Sequence, residues 1–95
     1  RIETLEVEAS LRDASGAQTA IVVVARGRAN NVSQLLAVLY CPPDDPDRIK
    51  AAVGESLPPY MVPERILFRD DDPPRNASGK IDRGAIRQIL EAMTT

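Results

Sequence analysis

At 95 residues with a formal net charge of −2 and a pI near 5.0, the chain supports one small domain with a single modest core, too little for a complete ATP-using enzyme. No segment combines clustered Lys and Arg with aromatics, so the expectation is no nucleic-acid partner. One cysteine, Cys41, and no histidine exclude an internal disulfide, a Cys-His dyad and a His/Cys metal site.

Hydrophobic residues make up 43% of the chain and only Tyr40, Tyr60 and Phe68 are aromatic, which predicts a thin, aliphatic core. The longest apolar run, Ala20 to Ala25, is far short of the about 20 residues a membrane span needs. The expectation is a cytoplasmic location with no membrane partner. With Arg1 rather than Met at its start, the chain is expected to be a piece of a larger protein.

In chain order, Ile2 begins a short extended entry and Thr4 is placed to cap a first helix, with Glu6 and Glu8 near the positive end of its dipole. Val7, Leu11 and Ala14 form its apolar stripe, and it should end near Ser15 and Gly16. Gln18 to Ala25 is β-branched and apolar on both faces, as in a central strand. Arg26 to Ser33 reads as a polar turn and Gln34 to Cys41 as a second strand, together an antiparallel hairpin. Cys41 reads as a buried small hydrophobe.

Pro42 to Pro46 stop that strand, and Asp45 caps a second helix with Pro46 at its first position and Asp47 in its first turn. Ile49, Ala52, Val53 and Leu57 supply its buried stripe, and Pro58 and Pro59 end it. Tyr60 to Pro63 reads as an extended connector, Glu64 to Arg69 as a short third strand, and Asp70, Asp71 and Asp72 as a solvated loop. Asp82 caps a last helix whose apolar face is Ile86, Ile89, Leu90 and Met93. The expected class is α+β: a small, mainly antiparallel three-stranded sheet packed by helices, with the last helix following a lysine loop.

That loop, Pro73 to Arg83, has two prolines at its entry, turn-prone residues in its middle and Lys80 behind Gly79. It presents a cation from a mobile loop. A phosphate-binding Gly-Lys loop would need glycine where Pro74 stands and Ser or Thr where Ile81 stands, so that reading fails.

The string Pro74-Arg75-Asn76-Ala77-Ser78-Gly79-Lys80-Ile81-Asp82-Arg83, with Tyr60-Met61-Val62-Pro63 upstream and Arg1-Ile2-Glu3 at the start, resembles the C-terminal subdomain of the adenylate-forming enzymes. These are the adenylation domains of nonribosomal peptide synthetases, acyl-CoA and aryl-CoA synthetases, and luciferases. The resemblance spans nearly the whole chain. It implies a lid on a larger N-terminal core domain that binds ATP, Mg2+ and a carboxylic acid substrate, with no metal site on this chain. It also implies that Lys80 is the catalytic lysine of acyl-adenylate formation, supported in its loop by Asn76, Ser78 and Gly79. Arg1, Ile2, Glu3, Leu5 and Glu6 match the segment that lines the approach of the accepting thiol after the subdomain rotates. Leu5 stands where peptide synthetases often carry Gly, Asn76 where Thr is common and Ser78 where Asn is common.

Three functions are compatible with this resemblance. The first is activation of an amino or aryl acid and its transfer to the phosphopantetheine of a carrier protein, as in antibiotic biosynthesis. The second is the same subdomain in an acyl-CoA synthetase with CoA as acceptor. The third is a docking module that keeps the fold without catalysis. Tyr60-Met61-Val62-Pro63 and Ile81-Asp82-Arg83 look more like amino-acid-activating domains.

Overall fold

The computed structural model describes residues 3–26 and 33–92. Helix α1 spans Thr4–Ser15, and its N-cap is Glu3 rather than the expected Thr4. The Glu3 carbonyl already accepts the amides of Glu6 at 3.1 Å and Val7 at 3.2 Å, which puts Thr4 inside the helix, and no side chain caps this end. Gly16 stops the helix in the left-handed region, at φ 78°, and donates its N–H to the Arg12 carbonyl at 2.8 Å. A side chain there would carry the strain that glycine avoids.

Strands β1 (Ala20–Arg26) and β2 (Ser33–Tyr40) pair antiparallel, from Ala20 opposite Leu39 to Arg26 opposite Ser33. Most of the expected polar turn between them, residues 27–32, lies outside the described residues, as do Arg1, Ile2 and Met93. Cys41 falls just past β2 and is half-buried. Asp45 caps α2 (Pro46–Gly54) by accepting the Asp47 amide at 3.0 Å, with Pro46 at the first helical position as its missing N–H allows. The helix ends at Gly54, ahead of Pro58 and Pro59. Where an extended connector was expected, Pro59–Met61 forms one 3-10 turn, closed by Met61 N–H to the Pro58 carbonyl at 2.9 Å, which turns the Met61 side chain into the core.

Strand β3 (Arg65–Arg69) lies beside β2, and the two run parallel, from Leu36 opposite Arg65 to Tyr40 opposite Arg69. The sheet order β1-β2-β3 therefore contains one antiparallel and one parallel ladder, a mixed sheet within the expected α+β class. The crossover through α2 carries the chain back to the starting edge of β2, as a parallel connection requires. It also makes β2 the central strand and leaves β1 on the edge, although β1 has the more β-branched sequence.

Period-two alternation divides the apolar side chains between the two faces of the sheet. Val22, Leu35, Ala37 and Leu39 face α1 and α2 with Val7, Leu11, Ile49, Val53 and Met61. Ile21, Val23, Ala25, Leu36 and Val38 face α3 (Arg83–Glu91) through Ile86 and Leu90. Among the described residues, the buried side chains of both layers include no aromatic ring, in keeping with the aromatic-poor composition, and Phe68 and Tyr40 pack partly buried against them. The edge strand is thus covered on both faces and still needs partners for its outward backbone groups.

Candidate functional site

The segment between β3 and α3 is a hydrogen-bonded hairpin rather than a loose loop. Arg75 and Ile81 form an antiparallel bridge, and below it the Asp82 amide donates to the Pro74 carbonyl at 2.8 Å. Above it the Asn76 amide donates to the Lys80 carbonyl at 2.8 Å and the Gly79 amide to the Asn76 carbonyl at 2.9 Å. A four-residue turn, Asn76 to Gly79, therefore closes the tip.

The Asn76 side chain holds that tip together. Its Oδ1 accepts the Ser78 amide at 2.9 Å and the Lys80 amide at 3.1 Å, an Asx arrangement that substitutes for backbone partners the turn does not provide. Arg75 Nη1 adds a bond to the Gly79 carbonyl at 3.1 Å. Gly79 adopts φ 82°, and a Cβ placed there would meet nothing within 4 Å of this chain, so the local demand for glycine is conformational. Asn76, Ser78, Gly79 and Lys80 are thus brought together as expected, with the backbone of Lys80 bonded on both sides.

Lys80 itself is exposed, and its ammonium makes no hydrogen bond or ion pair among the described residues. Its carbonyl and amide are pinned while its charge is free. The hairpin therefore presents a cation from an ordered base.

Asp82 caps α3 by accepting the Ala85 amide at 3.0 Å. Arg83 opens that helix, where the dipole disfavours a cation. The compensation is Glu8, whose Oε1 accepts Arg83 Nη2 at 2.9 Å and whose Oε2 accepts Arg83 Nη1 at 3.1 Å and the Val22 amide at 2.8 Å. Glu8 is only 1% exposed, the one buried charged side chain among the described residues. Rather than serving the α1 dipole, it satisfies an outward N–H of the edge strand and forms a bidentate pair around that edge. The Glu8 carboxylate raises the Arg83 pKa above its ordinary value, mainly through the hydrogen bond and against a smaller opposing effect of burial. Farther along the same edge, Arg87 Nη2 donates to the Val24 carbonyl at 3.2 Å.

On α1, Glu3, Leu5 and Glu6 are exposed, Leu5 at 69% for a large apolar side chain. No hydrogen bond or ion pair joins them to the hairpin among the described residues. The connection runs instead through Glu8, one turn further on. Composition and spacing did not single out this pair; an arginine at a helix N-terminus was the available signal, since it calls for a nearby anion. Among the acidic residues after β3, Asp71 pairs with Arg69 at 2.9 Å, and this guanidinium holds the carboxyl below the usual range.

Residues 6–80 match the AMP-binding enzyme C-terminal domain family. Over 95 residues, 98% of this chain and 2% of the relative, it is 36% identical to chondramide synthase from Chondromyces crocatus. Over 93 residues, 90% of this chain and 18% of the relative, it is 36% identical to D-alanine--D-alanyl carrier protein ligase from Lacticaseibacillus rhamnosus. The amide bond synthetase McbA from Marinactinospora thermotolerans superposes with a TM-score of 0.76 at 25% identity, over 94% of this chain and 18% of that one. The chain thus spans no more than about a fifth of these proteins. MatB from Rhodopseudomonas palustris, at 20% identity and a TM-score of 0.81 over 99% of this chain and 19% of its own, shares the fold. The match over residues 6–80 makes the chain a member of the AMP-binding enzyme C-terminal domain family.

Proposed function

We propose that this chain is the lid of an adenylation enzyme that activates an amino or aryl acid as acyl-AMP and transfers it to the phosphopantetheine thiol of a carrier protein. The observation that carries the proposal is Lys80: an unpaired, exposed ammonium on a hairpin whose backbone is otherwise fixed. A larger N-terminal core domain supplies the acid pocket, most contacts to ATP, and the Mg2+ that accompanies it.

In the first half-reaction a carboxylate oxygen bonds to the α-phosphorus of ATP and the bond to pyrophosphate breaks. Two unit charges about 4 Å apart repel by about 4 kcal/mol at an effective dielectric of 20. An ammonium placed between the carboxylate and the α-phosphate offsets that repulsion while the transition state forms. In the second, the thiol sulfur, having given up its proton, bonds to the acyl carbon and AMP leaves. A cation carried on a movable lid is present for the first step and withdrawn for the second. The exposed first turn of α1, with Leu5 and Glu6, and the stretch before it, Arg1, Ile2 and Glu3, are assigned to the thiol's side.

The acceptor distinguishes this reading from an acyl-CoA synthetase. Relatives at 36% identity include a carrier protein ligase, which supports a carrier thiol. The test is acyl transfer by the intact enzyme to a phosphopantetheinylated carrier protein and to free CoA, measured side by side. Preference for the carrier is expected; preference for CoA would establish the acyl-CoA synthetase reading. If the subdomain were a docking module without catalysis, replacing Lys80 would leave the activity of the intact enzyme unchanged.

A further inference from the structure

We infer that Glu8 is a positioning residue for Lys80, acting through Arg83. The inference rests on the reading of Lys80 given above. The hairpin reaches the rest of the domain along two routes. On one side, the exposed residues Asp70 to Asp72 connect it to β3. On the other, Ile81, which packs with the α3 layer, leads directly through Asp82 to Arg83. The first route is tied to β3 by the exposed Asp71–Arg69 pair, whereas the second has a buried anchor, the Arg83 fork on the carboxylate of Glu8.

Glu8 is itself immobilised. Its carboxylate takes three donors, two from Arg83 and one from the β1 backbone at Val22, and its helix is packed by Val7 and Leu11. A planar guanidinium held bidentately has its orientation as well as its distance fixed. Because Arg83 follows Asp82, whose amide bonds across the hairpin base to Pro74, that orientation passes to the two strands carrying Lys80. An ion pair serving only stability is replaceable by apolar residues; one that aims a catalytic cation is not.

The test uses the intact enzyme with Glu8→Gln and, separately, Arg83→Lys, which keeps the charge and loses the fork. Adenylation and thiol transfer from supplied acyl-adenylate are measured by single turnover, each variant being made with Lys80 present and with Lys80→Ala. Expected is a roughly tenfold fall in the adenylation rate constant, equal to about 1.4 kcal/mol, with the ATP dependence unchanged and thiol transfer within about twofold. In the Lys80→Ala background the same substitutions should cause no further loss, because a residue that acts through Lys80 has nothing left to position. Equal losses with and without Lys80, or equal losses in both half-reactions, would overturn the inference and leave Glu8 a structural residue. If Glu8→Gln does not fold, Arg83→Lys decides alone, the Arg83 side chain being half-exposed. Should Lys80→Ala by itself leave adenylation unchanged, it is the reading of Lys80 that fails, a result distinct from either of these.

Discussion

Asn76 and Lys80 are bonded to each other twice: the Asn76 amide reaches the Lys80 carbonyl at 2.8 Å, and the Lys80 amide reaches Asn76 Oδ1 at 3.1 Å. The side chain of one residue thereby fixes the backbone of the other, leaving only the lysine's own rotamers free. Truncation of Asn76 to alanine removes two acceptor contacts worth about 1 kcal/mol each at most, since both are exposed. Gly79→Ala forces a side chain to φ 82°, at a cost of about 1–2 kcal/mol. Both variants should therefore slow adenylation by about tenfold while lowering the unfolding midpoint of the 95-residue chain by about 4–8 °C for each kcal/mol lost. Single-turnover acyl-adenylate formation and a thermal melt on each variant check this. A large loss of stability with unaltered adenylation would show that the tip serves the fold.

Cys41 offers a pH-dependent readout in the 95-residue chain itself. Burial raises its thiol pKa, and the carboxylates of Asp44 and Asp70 raise it further. A raised acid pKa means less thiolate at a given pH, so alkylation at pH 8 should be slower in the folded chain than in urea and should keep rising above pH 9. By the same sign, this group's contribution to stability is complete below the unfolded thiol pKa and is lost as pH rises through the folded one. Asp70→Asn should accelerate alkylation of the folded chain. If folded and unfolded chains react alike at every pH, the thiol is not perturbed.

Leu5 is 69% exposed on the first turn of α1, an apolar side chain with no core role of its own. Its replacement by a charged residue should leave the fold intact, since neighbouring Val7 and Leu11 carry the burial. On the proposed assignment of faces, Leu5→Lys should slow thiol transfer by several-fold and adenylation much less, because the rotated lid alone brings this turn to the reacting atoms. Rates of both half-reactions in the intact enzyme decide it. Equal losses in the two would place α1 on the wrong face.

The local features were legible in the sequence. Asp45 with Pro46, and Asp82 ahead of the Ile86 and Leu90 stripe, each combine a cap with a 3.6-residue repeat, and both helices start where those signals lie. The sheet was less legible, because strand direction depends on the crossover through α2 and not on the composition of β3. Val22 and Val24 sit on an edge strand despite a sequence suited to the centre, since Glu8 and Arg87 supply the partners that a neighbouring strand would give. The Lys80 loop was visible as glycine and lysine in a turn-prone string, but its order was not. That order comes from Asn76, whose side chain closes the tip, and from Glu8, 75 residues from Arg83 in the sequence.

Lys80→Ala carries the most weight. The side chain is exposed and makes no contact that holds the core, so the fold should survive its loss. On the proposed role, in which the ammonium offsets roughly 4 kcal/mol of anion repulsion, its removal should slow adenylate formation by about two to three orders of magnitude, comparable to losing one preorganised oxyanion donor. Transfer from supplied acyl-adenylate to the thiol should stay near normal, because in the proposed cycle the hairpin is then turned away from the reacting atoms. Lys80→Arg should rescue poorly: a planar fork is a bad substitute for a compact charge placed between two oxygens. Two single-turnover measurements on the same intact variant, one for each half-reaction, separate the outcomes. Unchanged adenylation would remove Lys80 from catalysis and leave docking as the subdomain's function, whereas parallel loss of both steps would mean that the lid no longer closes at all.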